Sequence, residues 1–418
     1  MKENYKIVRD PIHGNIKITG FFIDLLESPE IQRLYDVKQL GFAHLVFPGA
    51  HHTRLEHSLG AYKIASQISE MLDLNKREKD VISCAALLHD VGHGPFSHTL
   101  ESILVEKFNV DHVDLTEKLI LGEYDIFEDG EKSIIDSRGI NDILIENDMD
   151  KGEIVDIIRG KTHKKPYMSQ ILNSTIDADQ LDYLIRDAYY TGVAYGMIDI
   201  DRLLQTLVIF NNNLAVERKG VSVLENILMA RGLMYSSVYF HKTVRIAELM
   251  LSKAIELSKG ADPFNFFRMT DSEIMNMLKK SGTFQYEIVT RLKYRKLFKQ
   301  AFSLSASDIK EEDMDILRDL ENVDSRRRKE QEIENLFNIP PGYVIIDMPL
   351  SEIQRAEPRL NKTDIGVVEK NKIKTLDDFT PIAGAIRSRI APDWAVMILT
   401  DEKFRDVVSK KAKKVLFS

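Results

Sequence analysis

Three histidines and an aspartate fall within ten residues, His89-Asp90-Val91-Gly92-His93-Gly94-Pro95-Phe96-Ser97-His98, directly after the apolar run Ala85-Ala86-Leu87-Leu88. Upstream, Arg54-Leu55-Glu56-His57 supplies another imidazole, and far downstream Asp177, Asp179 and Asp182 crowd carboxylates into six residues. Two histidines and two aspartates drawn from these three segments, His57, His89, Asp90 and Asp179, would make an N/O shell for one divalent cation, a chemistry that suits Fe, Mn, Co, Ni or Zn. The plainer alternative is a set of unrelated polar residues, two of them capping helices. Burying such groups at the end of an apolar helix is costly unless something compensates, and a divalent ion compensates both carboxylates at once. Nine of the 11 histidines also lie in the first 112 residues, which scatter over a surface does not explain.

Around this set stand groups suited to proton transfer and to anion binding. His93, three residues past Asp90, is placed for acid/base work near neutral pH. His112 follows Asp111, which either orients and charges the imidazole or simply caps a helix. His98 reads equally as a pocket residue and as a structural one. Arg54, Lys161, Lys164, Lys165, Arg186, Arg231, Lys242 and Arg245 are candidates for phosphate contacts, Arg54 and Arg231 foremost because each sits in a motif-bearing segment. Tyr183, Tyr235 and Tyr239 read as core at helical spacing or as edges for a nucleobase.

The elements that would position these groups are mostly helical. Apolar residues recur at three- and four-residue spacing from Thr53 to Leu72 and again from Lys76 to Asp90, so His57 and His89 belong to different helices. Gly92 and Gly94-Pro95 break the second helix just after the His-Asp pair, which lets neighbouring side chains that would diverge by about 100° converge on one ion. Residues 1–20 read as extended, with a turn at Asp10-Pro11-Ile12-His13-Gly14. The charge-rich stretch 122–165 carries small helices, Asp177–Tyr190 is helical, and Leu207–Phe210 with Leu214–Val216 form a hairpin about an Asn-rich turn. A helical pair follows over 223–257. Asn338-Ile339-Pro340-Pro341-Gly342 is the clearest linker; beyond it come strands at 343–346, 365–368 and 395–399 and a helix over 401–416. The expectation is a mainly α fold with a small β-hairpin, a core over residues 1–335 and a smaller C-terminal α+β region over 336–418.

At 418 residues, with 44% apolar and 29% charged residues, the chain can bury a sizeable core. The net charge of −8 and a pI near 5.8 speak against salt-driven binding to nucleic acid. Cys84 is the single cysteine, which excludes an intramolecular disulfide and suits a reducing compartment. The first residues are charged, and no run approaches the roughly 18 apolar residues of a membrane span. A cytoplasmic protein without a membrane partner is expected.

Taken with Lys38-Gln39-Leu40-Gly41 and Val46-Phe47-Pro48-Gly49-Ala50, these motifs give residues 5–250 a resemblance to the HD-domain deoxynucleoside triphosphate triphosphohydrolases, in particular the branch of the animal sterile-alpha-motif and HD-domain protein. The resemblance implies an HD helical core, a divalent metal cofactor (Mg, Mn, Fe, Co, Ni or Zn) and hydrolysis of a deoxynucleoside triphosphate, dGTP included, to nucleoside and inorganic triphosphate. It makes His57, His89, Asp90 and Asp179 the metal ligands, His93 and His112 the catalytic histidines, and His98 a pocket residue. Gln39 and Leu40 would face the sugar, Arg54 and Arg231 the phosphates, Tyr183 and Asp187 the sugar. Base preference does not carry over, since Tyr235 and Phe240 depart from the family pattern, and Gln180 stands where the family has a phosphate-binding lysine. A dimer or tetramer is implied. A regulatory nucleotide pocket is the weaker implication: Lys6, Gln32 and Arg33 fit part of its pattern, but Tyr35 replaces an arginine. The same HD shell also serves ribonucleotides, nucleotide monophosphates and signalling nucleotides, or a sensor whose site is only structural.

Overall fold

The computed structural model describes residues 4–417 except 97–100, 102, 106–107, 128–129, 136, 259–262, 350–364 and 388–393. The chain begins with an antiparallel hairpin, β1 (Tyr5–Asp10) and β2 (Gly14–Thr19), whose turn is fixed by Asp10 Oδ1 accepting from the amides of Ile12 and His13 at 2.9 and 2.7 Å. Two core helices follow. α1 (Arg54–Met71) starts at a capping box between Thr53 and Glu56, and α2 (Lys76–Leu88) at one between Asn75 and Glu78. Each such cap satisfies amides that a helix start would otherwise leave open, worth about 1 kcal/mol. α2 stops where it was expected to, with His89 as its C-cap.

α3 (His112–Leu121) and the short helices Ile140–Glu146 and Lys151–Ile158 cover one side of this pair, and α4 (Ala178–Thr191) packs along α1. Leu55, Leu59, Ile64 and Ile68 of α1 meet Val81, Ile82 and Leu88 of α2 and Leu181 and Leu184 of α4 in one continuous core. At about 1.5–3 kcal/mol for each fully buried aliphatic side chain, this packing is what fixes the three helices α1, α2 and α4 relative to one another.

The hairpin β3 (Leu207–Phe210) and β4 (Asn213–Glu217) turns through Asn211 and Asn212, both at positive φ, the conformation that Asn tolerates. The helical pair is α5 (Val221–Met234) and α6 (Lys242–Glu256), with a π-helical turn over Tyr235–Tyr239 between them. Then come α7 (Asp271–Ser281), α8 (Thr283–Lys293), β5 (Lys299–Leu304) and α9 (Val323–Phe337). The chain closes with β6 (Val344–Asp347), β7 (Gly366–Glu369), β8 (Lys372–Thr375), β9 (Val396–Thr400) and α10 (Arg405–Leu416).

The mainly α character and the C-terminal strands agree with the sequence. The division at 335/336 does not describe how the sheets are built. One sheet runs β3-β4-β7-β8, with β4 and β7 parallel, and another runs β5-β9-β6, so both draw strands from either side of that boundary. The Pro-Pro-Gly segment is a turn that delivers the chain from α9 into β6. Among the described residues no helix is long and apolar enough to cross a membrane.

Candidate metal and catalytic centre

His57 comes from the first turn of α1, His89 and Asp90 from the end of α2, and Asp179 from the first turn of α4. All four converge. His57 Nε2 lies 3.1 Å from Asp179 Oδ1 and 3.8 Å from Asp90 Oδ2, while His89 Nε2 lies 3.3 Å from Asp90 Oδ1 and 3.6 Å from Asp179 Oδ1. His57, His89 and Asp90 form a buried group whose donor atoms fall within 4.8 Å of one another, the compactness one ion requires.

The far side of each ring is anchored, which leaves the near side free to face an ion. His57 Nδ1 is 2.8 Å from Asp182 Oδ2, and His89 Nδ1 is 2.8 Å from the carbonyl of Ala86. Those partners accept from an Nδ1–H, so both Nε2 lone pairs turn inward. His89 Nε2 is buried and makes no hydrogen bond, an expensive omission for a group that a cation would satisfy. Burial would push His57 down, yet Asp179 and Asp182 hold it up to about 10; burial would likewise raise Asp90, yet His89 and Arg54 hold it well below the usual carboxylate range. The carboxylates thus demand positive charge at the centre, and the residues present fit a divalent ion.

A second group shares Asp90. His93 and His112 stack at 3.9 Å with their planes 14° apart, and His93 Nε2 is 3.5 Å from Asp90 Oδ1. Burial and the neighbouring charges of Arg54 and His112 hold His93 well below its ordinary value. His112 moves the other way: burial alone would lower it, but Glu101, in contact with Nδ1, holds it up to about 9. One ring is therefore kept neutral and its neighbour protonated at neutral pH, the divergence that assigns different roles to paired groups. The His112 side chain is 28% exposed and that of Asp179 20%, against 1–9% for His57, His89, Asp90 and His93, so the cluster opens on the His112–Asp179 side.

Residues 54–187 match the family model for the HD domain, and residues 198–417 match that for the HD associated region. The chain belongs to the HD-domain phosphohydrolases. It is 31% identical to an uncharacterised protein of Methanocaldococcus jannaschii over 98% of its own length and 82% of that protein. It is 28% identical to a deoxynucleoside triphosphate triphosphohydrolase SAMHD1 homolog of Dictyostelium discoideum, over 71% of this chain and 60% of that one. The crystal structure of a hypothetical protein from Aquifex aeolicus superposes with a TM-score of 0.72 at 30% identity, covering 98% of this chain and 100% of that one.

Within this HD phosphohydrolase several candidate residues have other duties. Asp111 caps α3, its side chain accepting from Asp114 N at 2.8 Å, so the carboxylate that orients His112 is Glu101 and not its sequence neighbour. Asp187 is buried, 2.7 Å from His52 Nε2 and accepting from Tyr239 Oη at 2.7 Å. Tyr235 is buried against Tyr239, with ring centroids 4.9 Å apart. Tyr183 and Tyr239 remain partly exposed, and Tyr183 lies 6.4 Å from the His57 ring. Arg54 Nη1 donates to Asp90 Oδ2 at 2.6 Å, whereas Arg231 is fully buried and reaches the Thr175 carbonyl at 3.4 Å. Arg186 is no phosphate ligand, since it is buried and bound to Asp182 and Asp10, and Arg245 is engaged by Asp347. Lys6 pairs with Glu27, and Gln32 Nε2 donates to Leu26 O at 2.7 Å. Gln39 is buried with its Oε1 unpartnered, and Leu40 lies half-buried beside it. His98 lies outside the described residues.

Sequence reasoning missed Glu101 and Thr116, and it counted Asp182 among the clustered carboxylates without giving it a role. Asp182 binds His57, His13 Nε2 at 2.6 Å and Arg186, which gives the Asp-Pro-Ile-His-Gly turn its purpose. Its three-residue spacing from Asp179 puts it on the same face of α4, a signal that was available. Thr116 Oγ1 donates to His89 O at 3.1 Å and accepts from Gly92 N at 3.0 Å, and a Cβ on Gly92 would come within 2.3 Å of His112 O. Glycine at 92 is thus what lets the ligand turn seat against α3.

Proposed function

We propose that this phosphohydrolase cleaves deoxynucleoside triphosphates, dGTP among them, to deoxynucleoside and inorganic triphosphate. The observation that carries the reading is the convergence of His57, His89, Asp90 and Asp179 beside two stacked histidines, the two groups joined through Asp90. The likeness to the Dictyostelium triphosphohydrolase supports the choice of substrate.

His57, His89, Asp90 and Asp179 would hold the divalent ion, which when bound supplies charge for phosphate oxygens and lowers the pKa of water. Arg54, anchored on Asp90, adds a fixed positive charge beside the reacting phosphate. His112, kept protonated by Glu101 and standing at the open side, donates the proton to the departing 5′-oxygen as water attacks the α-phosphorus. His93, neutral and stacked beneath it, holds the ring in place and keeps that side of Asp90 dry. Gln39, whose buried oxygen has no partner, accepts from a sugar hydroxyl, with Leu40 beside it to crowd a 2′-substituent. Tyr183 and Tyr239 give the nucleoside an aromatic wall. The same reading includes a cytoplasmic dimer or tetramer, with a nucleotide as activator.

The test incubates the protein with each deoxy- and ribonucleoside triphosphate, singly and mixed, with Mg²⁺, Mn²⁺ or Co²⁺, and resolves products by anion exchange. Deoxynucleoside with intact triphosphate is the expected result, abolished in His112→Ala. Pyrophosphate, orthophosphate or turnover confined to ribonucleotides would overturn it and favour a signalling-nucleotide substrate.

A further inference from the structure

The turn that carries Asp90 and His93 is held from behind by two side chains remote in sequence. Arg33 Nη2 donates to the carbonyls of Val91 and His93 at 2.9 and 2.8 Å, and its Nη1 to the carbonyl of Met269 at 3.3 Å. The two ligand-turn carbonyls flank Gly92. Six residues after Asp90, Phe96 adopts the left-handed region at φ 51°, unusual for a bulky side chain. Its amide donates to Asp271 Oδ1 at 2.9 Å, and its ring stacks on Phe42 at 4.5 Å. The other oxygen of Asp271 accepts from Lys38 N at 3.2 Å, the residue just before Gln39.

A buried cation thus collects the turn's carbonyls while a buried anion collects its amide. Both Arg33 and Asp271 are 8% exposed, so neither is placed for a ligand arriving from solvent. Burial lowers Arg33 only to about 10, and it stays charged at neutral pH. The planar fork of a guanidinium reaches three carbonyls at once, which an ammonium on a flexible stem cannot do as rigidly.

We infer that Arg33 is a positioning residue for Asp90 and His93, and that Asp271 ties the same turn to the segment bearing Gln39 and Leu40. The inference rests on the reading of this centre as a metal-dependent hydrolytic site. Removing the fork leaves two ligand-turn carbonyls unsatisfied and lets the turn drift. A displacement of about 1 Å at a reacting group costs on the order of 100-fold in rate.

The experiment compares Arg33→Ala, Arg33→Lys and Asp271→Asn with Arg77→Ala, a surface control paired with Glu153. Each variant is measured for folded fraction by circular dichroism, for Mn²⁺ affinity by calorimetry and for the His93 ring resonances by ¹⁵N NMR of the metal-free protein. Steady-state kinetics follow on the nucleotide hydrolysed best. For folded Arg33→Ala the expected result is kcat down about 100-fold, KM little changed, displaced His93 resonances, and partial recovery with millimolar guanidinium. Arg33→Lys should show a smaller loss and no such recovery, and Asp271→Asn a smaller loss still. Unshifted His93 resonances with wild-type Mn²⁺ affinity and kcat would overturn the inference. So would a loss of activity that merely follows the unfolded fraction and that guanidinium does not restore. Should Arg33→Ala fail to fold, the same readouts on Arg33→Lys and Asp271→Asn decide. Should the wild-type protein hydrolyse no nucleotide, the functional reading fails by itself, while the resonances and Mn²⁺ affinity still judge the clamp.

Discussion

Lys253, Glu330 and Glu334 are buried much as His57, Asp90 and Arg54 are, but the two clusters are finished differently. Glu330 accepts from Lys253 Nζ at 2.7 Å and from Ile346 N at 2.8 Å, and Glu334 from the amides of Gly342 and Val344 at 2.7 and 3.2 Å. Four residues of α9 rise about 6 Å, while two residues of strand span about 6.7 Å, so glutamates at i and i+4 match alternate amides along β6. Since β6 is an edge strand of its sheet, the carboxylates occupy amides that would otherwise stand open to pairing. There every charge is consumed by the fold. Around Asp90 the outer atoms are consumed in the same way, Nδ1 of His57 by Asp182 and Nδ1 of His89 by Ala86, but inward the groups meet only one another: His57 Nε2 faces Asp179 Oδ1 at 3.1 Å, and His89 Nε2 makes no hydrogen bond. Burial of charge alone does not mark a site; burial with the inward valences left over does.

The largest expected effect breaks the comparison at its centre. Asp90→Ala removes the group shared by the ligand set and the histidine pair, and should abolish both divalent-metal retention, read by elemental mass spectrometry, and turnover, while the protein stays folded. Retained metal and activity would make the centre as structural as the Glu330 cluster. Next comes the structural cluster itself. Lys253→Met strands Glu330 in the interior and should cost about 3–5 kcal/mol, seen as an earlier urea midpoint, with metal content per folded molecule unchanged. An unaltered midpoint would mean that solvent or Arg327, through Glu256, already balances Glu330.

How much of this was legible in the sequence depended on the distance over which each signal acts. The helix ends at His89 and Thr53, the hairpin at Asn211 and Asn212, and the turn at Asp10 are local, and composition and spacing reveal them. β8 was missed because Lys372–Thr375 is short and exposed, with Ile373 as its one apolar residue, set between two lysines. The convergence of His57, His89 and Asp90 was legible because several donor types crowd one helix end. Their partners were not: Asp182 is 125 residues from His57, and Asp271 is 175 from Phe96. Only packing brings them together. The same limit left Asp111 open between orienting His112 and capping a helix, since adjacency is all a sequence offers, whereas in the fold Glu101 contacts the ring and Asp111 caps its helix.

A milder test acts one bond away from the centre. Asp182→Asn keeps the shape that faces His57 but weakens the acceptor that fixes its tautomer, and should lower metal affinity about 10–100-fold, measured by calorimetry. Because Asp182 also binds His13 and Arg186, a fall in thermal stability should accompany it. An unchanged affinity would show that packing alone orients the ring.

The smallest effect belongs to Glu334. Burial, offset only in part by the two amides it accepts from, raises its carboxyl from 4.5 to about 7. A folded value above the unfolded one means that the protonated form is favoured by folding. The stabilisation is therefore complete below about 4.5 and disappears as pH rises through about 7. Glu334→Gln fixes the neutral form, keeps a carbonyl oxygen for Gly342 and Val344, and should flatten the pH dependence of the urea midpoint across that window. Above it the variant should be more stable by on the order of 1–3 kcal/mol. Metal content should not change, because nothing in this cluster points inward unfinished. If Glu334→Gln instead lost stability at high pH, the carboxylate charge would be serving the β6 edge directly. The contrast between the two clusters would then narrow to the single question of whether a cation, rather than a strand, completes each one.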